Sequence, residues 1–305
     1  MLNFCSLYSG SSGNCLFVET EKTKVLIDAG VSLKKIEQGL ESINVSGADL
    51  DAVIVTHEHV DHIQSVGNIS KKFDIPVFAT SKTFDAMPKQ SEKISDKNKK
   101  NVVIDEKFSI GDIEISPFSI PHDAADPCGY TLFSDNKKIS IATDIGHINN
   151  NIIKHIDGSE FILLEANYDP EVLKYTKYPF KLKSRIAGPT GHLSNQVAGQ
   201  TINYLIKSGL KNAILGHLSK ESNFPELAYQ TVVDELISNG TNLDNFNLSI
   251  AEVDDQDIHQ SIVIGIAVIG VSMKILEAMK EKILDFIEEN TDAEIINIQE
   301  EIESF

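Results

Sequence analysis

The stretch THEHVDH, residues 56–62, carries the pattern HxHxDH at the end of the apolar run AVIVT, residues 52–56. The run is short, apolar and rich in β-branched residues, which predicts a buried strand. Three imidazoles and a carboxylate that leave a strand together converge on a small volume only if a cation holds them there. Zinc, manganese and iron accept these donors. The stretch therefore predicts a metal site with nitrogen and oxygen ligands. The zincin pattern HExxH does not match, because the residue four positions after His57 is Asp61.

The three cysteines, Cys5, Cys15 and Cys128, are odd in number and widely spaced, which favours reduced thiols over a disulfide framework. The chain begins without the basic and apolar segments of a secretory signal. Its longest apolar stretch, residues 262–271, is too short to span a bilayer. With 41% hydrophobic and 24% charged residues, the composition is that of a globular protein. We therefore expect a cytoplasmic protein with no membrane segment.

The formal net charge of -18 opposes long-range attraction to nucleic acid. The charge is uneven, however. Residues 254–305 hold 3 Lys and 13 Asp plus Glu, whereas residues 1–253 hold 24 basic and 32 acidic residues. Within the larger part, residues 171–185 contain five basic residues, one Glu and three aromatic side chains. Basic residues among aromatics suit a nucleic-acid backbone with stacked bases, and a solvated helix face is the alternative interpretation.

Strand patterns recur throughout residues 1–253 and are separated by helical patterns. A hairpin is predicted at the start, from residues 2–8, 15–20 and 25–27. Helical periodicity is found in residues 197–207 and 226–238. This mixture predicts an α/β fold with two mixed sheets packed between helical layers. The later predicted strands are PVFAT (76–80), VVIDEKFSI (102–110), IEISPFSI (113–120), GYTLFS (129–134), KKISIAT (137–143), FILLEAN (161–167) and NAILGH (212–217).

The composition changes near residue 253, where the charged DDQD precedes an apolar run, a helical stripe and a last alternating segment. This order predicts a small acidic βαβ appendage in residues 258–305. A single βαβ unit buries too little surface to be stable alone. We therefore expect the appendage to pack on the main domain, residues 1–253, or to join two copies into a homo-oligomer.

The motif set of residues 2–253 resembles that of the metallo-β-lactamase superfamily, in particular its YycJ/WalJ group, which is related to RNase Z and β-CASP nucleases. The resemblance implies the αββα sandwich of that superfamily. It rests on HxHxDH together with SGSSGN (9–14), PHDAADP (121–127), ATDIG (142–146), LLEAN (163–167) and GHLSN (191–195).

The resemblance also implies a ligand set for two divalent metal ions, which are zinc, manganese or iron. The further ligands stand in the expected order at the ends of predicted strands. Asp28 would orient a ligand from outside the ligand set, as such partners do in other metal sites. The first ion would be held by His57, His59 and His122, the second by Asp61, His62 and His217, and Asp144 would bridge both.

The reaction implied is hydrolysis of a phosphodiester by a hydroxide shared between the two ions. Asp61 is expected to accept a proton from the water, which is the role of its counterpart in related nucleases. His192 is the candidate proton donor for the leaving 3′-oxygen, with a simple loop histidine as the alternative. Glu165 resembles the glutamate that orients this histidine in RNase Z-like enzymes, and a structural ion pair is its alternative.

The YycJ/WalJ resemblance implies a DNA exonuclease with 5′-to-3′ polarity. Ser194 is expected to cap a helix whose first amides face a phosphate. The role of His147 is left open, since the family pattern has a larger aromatic or polar residue there. The residues expected to contact the substrate are Asn14, Lys181, Lys183, Arg185, Ser194 and Asn195.

Three other functions compete with this interpretation. A hydrolase of the same fold acting on a thioester, lactone or cyclic nucleotide is the main alternative, because a fold does not determine a substrate. A flavodiiron-like redox enzyme would need a flavin-binding domain, for which the C-terminal segment is too short. A non-catalytic binding protein would have lost ligands, whereas all seven ligand positions are filled.

Overall fold

The computed structural model describes residues 2–251, and two mixed β-sheets form its centre. The six strands of the first sheet lie in the order of the sequence. The first three strands pair antiparallel and the last three continue in parallel. They are β1 (Asn3–Tyr8), β2 (Cys15–Glu19), β3 (Lys24–Ile27), β4 (Ala52–Ile54), β5 (Val77–Thr80) and β6 (Lys99–Val102).

The second sheet has seven strands in the order β13-β12-β11-β10-β9-β8-β7. Its last four strands along the chain pair in parallel, and the earlier ones form an antiparallel meander. They are β7 (Phe108–Ile110), β8 (Ile113–Ser119), β9 (Cys128–Ser134), β10 (Lys137–Ala142), β11 (Phe161–Glu165), β12 (Asn212–Gly216) and β13 (Asn247–Ile250).

Helices cover the outer face of each sheet. One apolar cluster joins α1 and α3 to the first sheet, and another joins α6, α9 and α10 to the second. The resulting layers confirm the predicted αββα sandwich. The helices are α1 (Leu33–Ser42), α2 (Val60–Ile63), α3 (Val66–Phe73), α4 (Ser81–Ala86), α5 (Pro88–Ser91), α6 (Asn150–Ile156), α7 (Pro170–Tyr175), α8 (Phe180–Ile186), α9 (Asn195–Ile206) and α10 (Pro225–Ser238).

Strand β11 shows how the sequence builds the layers. All five of its residues are buried, and successive side chains point to opposite faces. Phe161 and Leu163 enter the core between the two sheets, whereas Ile162 and Leu164 enter the core under the helices. A strand covered on both faces must be continuously apolar, which explains the run FILL. The buried Glu165 at its end is therefore exceptional.

Two predictions of strands were inaccurate. The single strand predicted over residues 102–110 is divided into β6 and β7, because Asp105 adopts a left-handed φ of 67° in the turn between them. Strand β13 was not predicted, since its sequence NLSI has no continuous apolar run and all four residues are half-buried at the edge of the sheet. The edge position requires only one protected face.

Within residues 2–251, none of the helices combines the length and apolar character needed to cross a membrane. The appendage predicted for residues 258–305 lies outside the described residues.

Candidate metal centre

The candidate ligands lie at one edge of the sandwich, where parallel strands of both sheets end. Asp28 follows β3, Asp144 follows β10 and His217 follows β12. These three residues have φ values of 61°, 58° and 54°, a left-handed conformation that costs free energy for residues other than glycine. The turn after each strand thus bends the polar side chain back toward its neighbours.

The first cluster consists of His57, His59 and His122. His59 Nδ1 lies 3.1 Å from His57 Nε2 and 3.2 Å from His122 Nε2. The three rings are arranged edge to face around this point. The loop after β4 therefore lies against the loop after β8, although His59 and His122 are 63 residues apart in the sequence.

The second cluster consists of Asp61, His62 and His217. Asp61 Oδ2 lies 3.4 Å from His62 Nε2 and 3.5 Å from His217 Nε2. Asp144 lies between the two clusters, with Oδ2 3.3 Å from His62 Nε2 and Oδ1 3.6 Å from His122 Nε2. One carboxylate can therefore serve both groups of ligands.

The nitrogen that faces away from the centre is bonded in four of the five histidines. His62 Nδ1 donates to Asp28 Oδ2 over 2.7 Å, and His217 Nδ1 donates to Glu165 Oε1 over 2.8 Å. These bonds select the tautomer in which Nε2 presents a lone pair to the centre. His57 Nδ1 is bonded to Thr56 Oγ1 and His122 Nδ1 to the carbonyl oxygen of Gly191 in the same way.

Asp28, after β3, is hydrogen-bonded to the metal loop, which is the loop of residues 56–62 after β4. Its Oδ1 accepts a hydrogen bond from the Thr56 backbone N–H, and its Oδ2 accepts from the Thr56 hydroxyl and from His62. Because the Thr56 hydroxyl donates to Asp28, it can accept from His57 Nδ1, 3.0 Å away. One buried carboxylate therefore orients one histidine of each cluster.

The two clusters differ in charge when no cation is bound. Burial, together with the neighbouring imidazoles, lowers the pKa of His57 and of His122. Burial opposes the charge of His217 as well, but Asp144, Asp61 and Glu165 outweigh it and raise its pKa to about 10. The pKa of His62 is raised in the same way by Asp144 and Asp28. His57 and His122 are thus neutral at neutral pH, whereas His62 and His217 hold protons in place of a cation.

Two observations show that the residues fit bound cations. Among residues 2–251, Asp144 Oδ2 and His217 Nε2 are buried without a hydrogen-bond partner, although both face other ligand atoms. Orphaned buried polar atoms are costly and mark an absent ion or water. In the first cluster, the Nε2 lone pairs of His57 and His122 both face His59 Nδ1, which can donate a proton to only one of them, so a cation would satisfy the group better. The donor atoms of each cluster lie within 4.8 Å of one another.

Glu165 connects the second cluster to His192. Its Oε1 accepts from His217 Nδ1 and from His192 Nδ1, each over 2.8 Å. Its Oε2 accepts from the backbone N–H groups of Ile145 and Leu193. Four hydrogen bonds satisfy the completely buried carboxylate, and its pKa is held below the usual range because His192 and His217 overcome the effect of burial. His192 lies beside the centre, with its ring centroid 5.3 Å from those of His122 and His217.

The loop SGSSGN, residues 9–14, packs against the metal loop. The side chain of Asn14 is buried, and its Nδ2 lies within hydrogen-bonding distance of the carbonyl oxygens of Gly10 and Asp61 and of His62 Nε2. Gly30 packs so tightly here that an added Cβ would lie 1.6 Å from the carbonyl oxygen of Asp61. Only glycine permits this approach.

The residues expected to contact the substrate fall into two groups. The side chains of Asn14, Ser194 and Asn195 are buried and bonded within the protein. Ser194 caps α9, as expected, by accepting from Val197 N–H, and Asn195 is fully buried against Asn223. The three basic residues lie on or beside the exposed face of α8. Lys183 donates to the carbonyl oxygen of Lys174, Arg185 donates two hydrogen bonds to Asp123, and Lys181 is exposed.

Sequence reasoning missed Asp123. Its Oδ1 lies 3.6 Å from His122 Nε2, and Arg185 clamps it with bonds of 2.5 and 2.9 Å. Adjacency to His122 was the available signal, but the partner lies 62 residues away. The pair joins the His122 loop to α8 at the mouth of the metal centre.

Comparison with protein families gives two matches. The model of the metallo-β-lactamase superfamily matches residues 8–217, which include all the candidate ligands. A second model, described as a protein of unknown function (DUF503), matches residues 232–300. The second match begins inside α10, includes β13 and continues beyond the described residues.

Two curated relatives are similar over most of their length. The exodeoxyribonuclease WalJ of Streptococcus pneumoniae (serotype 2, strain D39) is 39% identical over 232 residues, which are 75% of this chain and 86% of the relative. The exodeoxyribonuclease YycJ of Bacillus anthracis is 36% identical over 239 residues, which are 78% of this chain and 90% of the relative. The crystal structure of the metallo-β-lactamase fold protein YhfI from Bacillus subtilis has a TM-score of 0.60 at 16% identity, covers 83% of this chain and 97% of that chain, and is a likeness of fold alone.

We predict that Asp144→Ala loses most of the bound divalent metal at both clusters, because Asp144 supplies oxygens to each. Metal analysis after equilibrium dialysis measures the content. Asp126→Ala is the control, since Asp126 lies in the His122 loop and pairs only with Lys82 among residues 2–251. Two ions retained by Asp144→Ala at the control's level would refute the bridging role.

We predict that Asp28→Asn weakens metal binding by roughly 10- to 100-fold without unfolding the protein. Asparagine has the same shape and tolerates the left-handed φ, but it withdraws the negative charge that orients His62. Competition with a chromogenic chelator measures the affinity. Asp51→Asn is the matched control. Its exposed carboxylate accepts from the N–H of Lys24, the first residue of β3, whereas Asp28 follows the last residue of that strand. Equal affinities in the two variants would contradict the prediction.

Proposed function

We propose, since this chain belongs to the metallo-β-lactamase superfamily and to its WalJ/YycJ group, that it is a metal-dependent exonuclease that hydrolyses DNA phosphodiesters. The observation that carries the proposal is the pair of ligand clusters sharing Asp144, with His192 and its partner Glu165 beside them. A 3′-oxygen leaves readily only when a proton donor stands beside it, and His192 lies next to the ligand clusters. The two relatives described above are exodeoxyribonucleases.

We infer two divalent ions of zinc, manganese or iron, all of which accept imidazole and carboxylate ligands. His57, His59 and His122 would hold one, Asp61, His62 and His217 the other, and Asp144 both. When bound, such a pair supplies an activated water and neutralises the charge that develops on the phosphate oxygens.

His192 is proposed to give a proton to the leaving 3′-oxygen. Its Nδ1 is bonded to Glu165 Oε1, so the proton available to the substrate is held at Nε2. The buried Glu165 fixes the orientation of the ring. Its bond to His217 holds the donor at a constant position relative to the second cluster.

Asp61 is proposed to accept the proton of the attacking water. Its carboxylate is about a quarter exposed, in contrast to the fully buried Asp144, so one side of it faces the open mouth of the centre. Burial raises the pKa of Asp61, but the neighbouring imidazoles of His217 and His62 outweigh this effect and hold it far below the usual range. The carboxylate is therefore ionised at neutral pH.

The basic face of α8 is proposed to guide the DNA strand. Phe180 is 84% exposed, and Lys181 lies beside it. An exposed aromatic ring next to a cation suits a stacked base and its phosphate. Stacking and ion pairing act over a few ångströms, whereas charges elsewhere on the chain are screened by salt. The overall negative charge of the chain therefore does not prevent these contacts.

The polarity proposed is 5′ to 3′, with release of the nucleotide whose 3′-oxygen is protonated.

Cytoplasmic location is proposed as well, because Cys5, Cys15 and Cys128 are free thiols. For residues 258–305 we propose packing on the main domain or self-association. The family match over residues 232–300 supports a distinct segment there.

We predict that the metal-loaded protein releases mononucleotides from 5′-labelled single-stranded DNA and that chelation abolishes this release. Gel analysis of the products measures it. A thioester, a lactone and a cyclic nucleotide serve as competing substrates at the same enzyme concentration. Turnover of one of these with intact DNA would overturn the proposed function.

We predict that His192→Ala keeps its metal content and loses roughly 100- to 10,000-fold in kcat, the range typical of a lost general acid. Single-turnover cleavage and metal analysis are measured on the same sample. His155→Ala is the control, since this histidine lies in α6, is partly buried and pairs with Asp105 in the turn between β6 and β7. A normal rate in His192→Ala would show that it is not the proton donor.

A further inference from the structure

A cavity of about 460 Å³ adjoins the metal centre on the side of His192. One wall is the loop of Gly146, His147 and Ile148, and the opposite wall is one face of α9. His192 lines the cavity and is also bonded to Glu165, so the cavity begins where the proposed proton donor stands. Neither the metal ligands nor the proposed reaction accounts for this space.

The α9 wall is a single helix face. Val197, Gln200, Thr201 and Tyr204 line the cavity, and their spacing of three, four and seven residues places them above one another. Tyr204 is 48% exposed, a high value for a large aromatic side chain in a helix that packs on the core. The Tyr204 ring therefore offers the cavity a flat apolar surface on which a ligand can stack.

The opposite wall is fixed in place by its neighbours. His147 Nδ1 donates to the carbonyl oxygen of Pro189 over 2.9 Å, which leaves Nε2 as a hydrogen-bond acceptor. An added Cβ on Gly146 would lie 2.2 Å from the same oxygen, so the loop is in tight contact with residues 189–190. The cavity is therefore preformed on this side.

The lining is chemically suited to a neutral, flat, polar-edged ligand. None of the twelve described lining residues is Lys or Arg, so the cavity holds no side-chain cation that would pair with a phosphate. Ile148, Ile153, Val197 and Tyr204 supply apolar contact. Gln200, whose side chain has no recorded partner among residues 2–251, offers both a donor and an acceptor.

We propose that this cavity binds a nucleobase of the DNA substrate, which stacks on Tyr204 and forms hydrogen bonds with Gln200 or His147. The inference rests on the proposed nuclease function and deepens it. The base is that of the released nucleotide, because the cavity lies on the side of His192, where the leaving 3′-oxygen is protonated. In 5′-to-3′ cleavage that nucleotide is the 5′-terminal one.

The experiment measures the first cleavage of oligonucleotides that differ in a single missing base. An abasic residue at position 1 removes the proposed ligand, whereas one at position 2 is the control within the same strand. Wild-type protein should cleave the first substrate at least roughly fivefold more slowly, the lower end of the effect of losing one base–aromatic stack. The second substrate should be cleaved at the normal rate.

Variants at residue 204 test the assignment to this cavity. Tyr204→Ala should cleave all the oligonucleotides at the slow rate and no longer distinguish an abasic position 1. Tyr204→Phe keeps the ring and should retain the discrimination. Since nearly half of Tyr204 is exposed, the alanine variant should fold normally, which its unfolding midpoint checks. Lys207→Ala, one turn later on the surface after α9, is the control for the helix.

The two proposals fail in different ways. If the wild-type protein cleaves no oligonucleotide, the nuclease function is wrong. If it cleaves all of them equally, the function stands and the base-binding cavity is refuted. Sensitivity to an abasic position 2 instead of position 1 would overturn the assignment to the released nucleotide. Discrimination that survives Tyr204→Ala would overturn the assignment to this cavity.

Discussion

The structure depends on a group of buried carboxylates that require positive charge beside them. Asp28, Asp144 and Glu165 are at most 2% exposed, and Asp61 lies against the same imidazoles. Each buried carboxylate without compensation destabilises a fold by several kcal/mol. Without metal, the protons of His62 and His217 supply part of the compensation, which is why these two pKa values are raised. Divalent cations held by the candidate ligands would compensate the whole group.

This requirement explains the geometry of the strand ends. The ligands come from loops after strands of both sheets, so each sheet must present its parallel carboxyl ends at the same edge. Cross-connections hold the sheets in register there: the Tyr130 hydroxyl donates to the carbonyl oxygen of Val55 over 2.7 Å, and Cys128 N–H donates to that of Thr56. The left-handed residues Asp28 and Asp144 store strain in the turns, and the hydrogen bonds and charges at the centre offset it.

Much of this could be predicted from the sequence because the decisive signals are local. HxHxDH lies within six residues, and strands such as FILLE are buried on both faces and so are continuously apolar. Other features depend on contacts across long separations. Asp123 acquires its meaning from Arg185, and Asn14 is turned inward by the carbonyl of Asp61, 47 residues later. Strand β13 contributes few apolar residues because an edge strand does not need them. The hydrophobic periodicity of a segment does not predict contacts between residues that are far apart in the sequence.

Glu165 connects the candidate metal centre to the cavity beside it. One oxygen orients His217 in the metal centre and His192 beside it. The other accepts from Ile145 N–H, directly before the loop that forms one wall of the adjoining cavity, and from Leu193 N–H, directly before α9, which forms the other wall. A single carboxylate therefore contacts the candidate ligand His217, the proposed proton donor His192 and the start of both walls of the cavity. A displacement of Glu165 would shift His192 and both walls together, which is why the proposed proton donor and the proposed base-binding cavity depend on the same buried group.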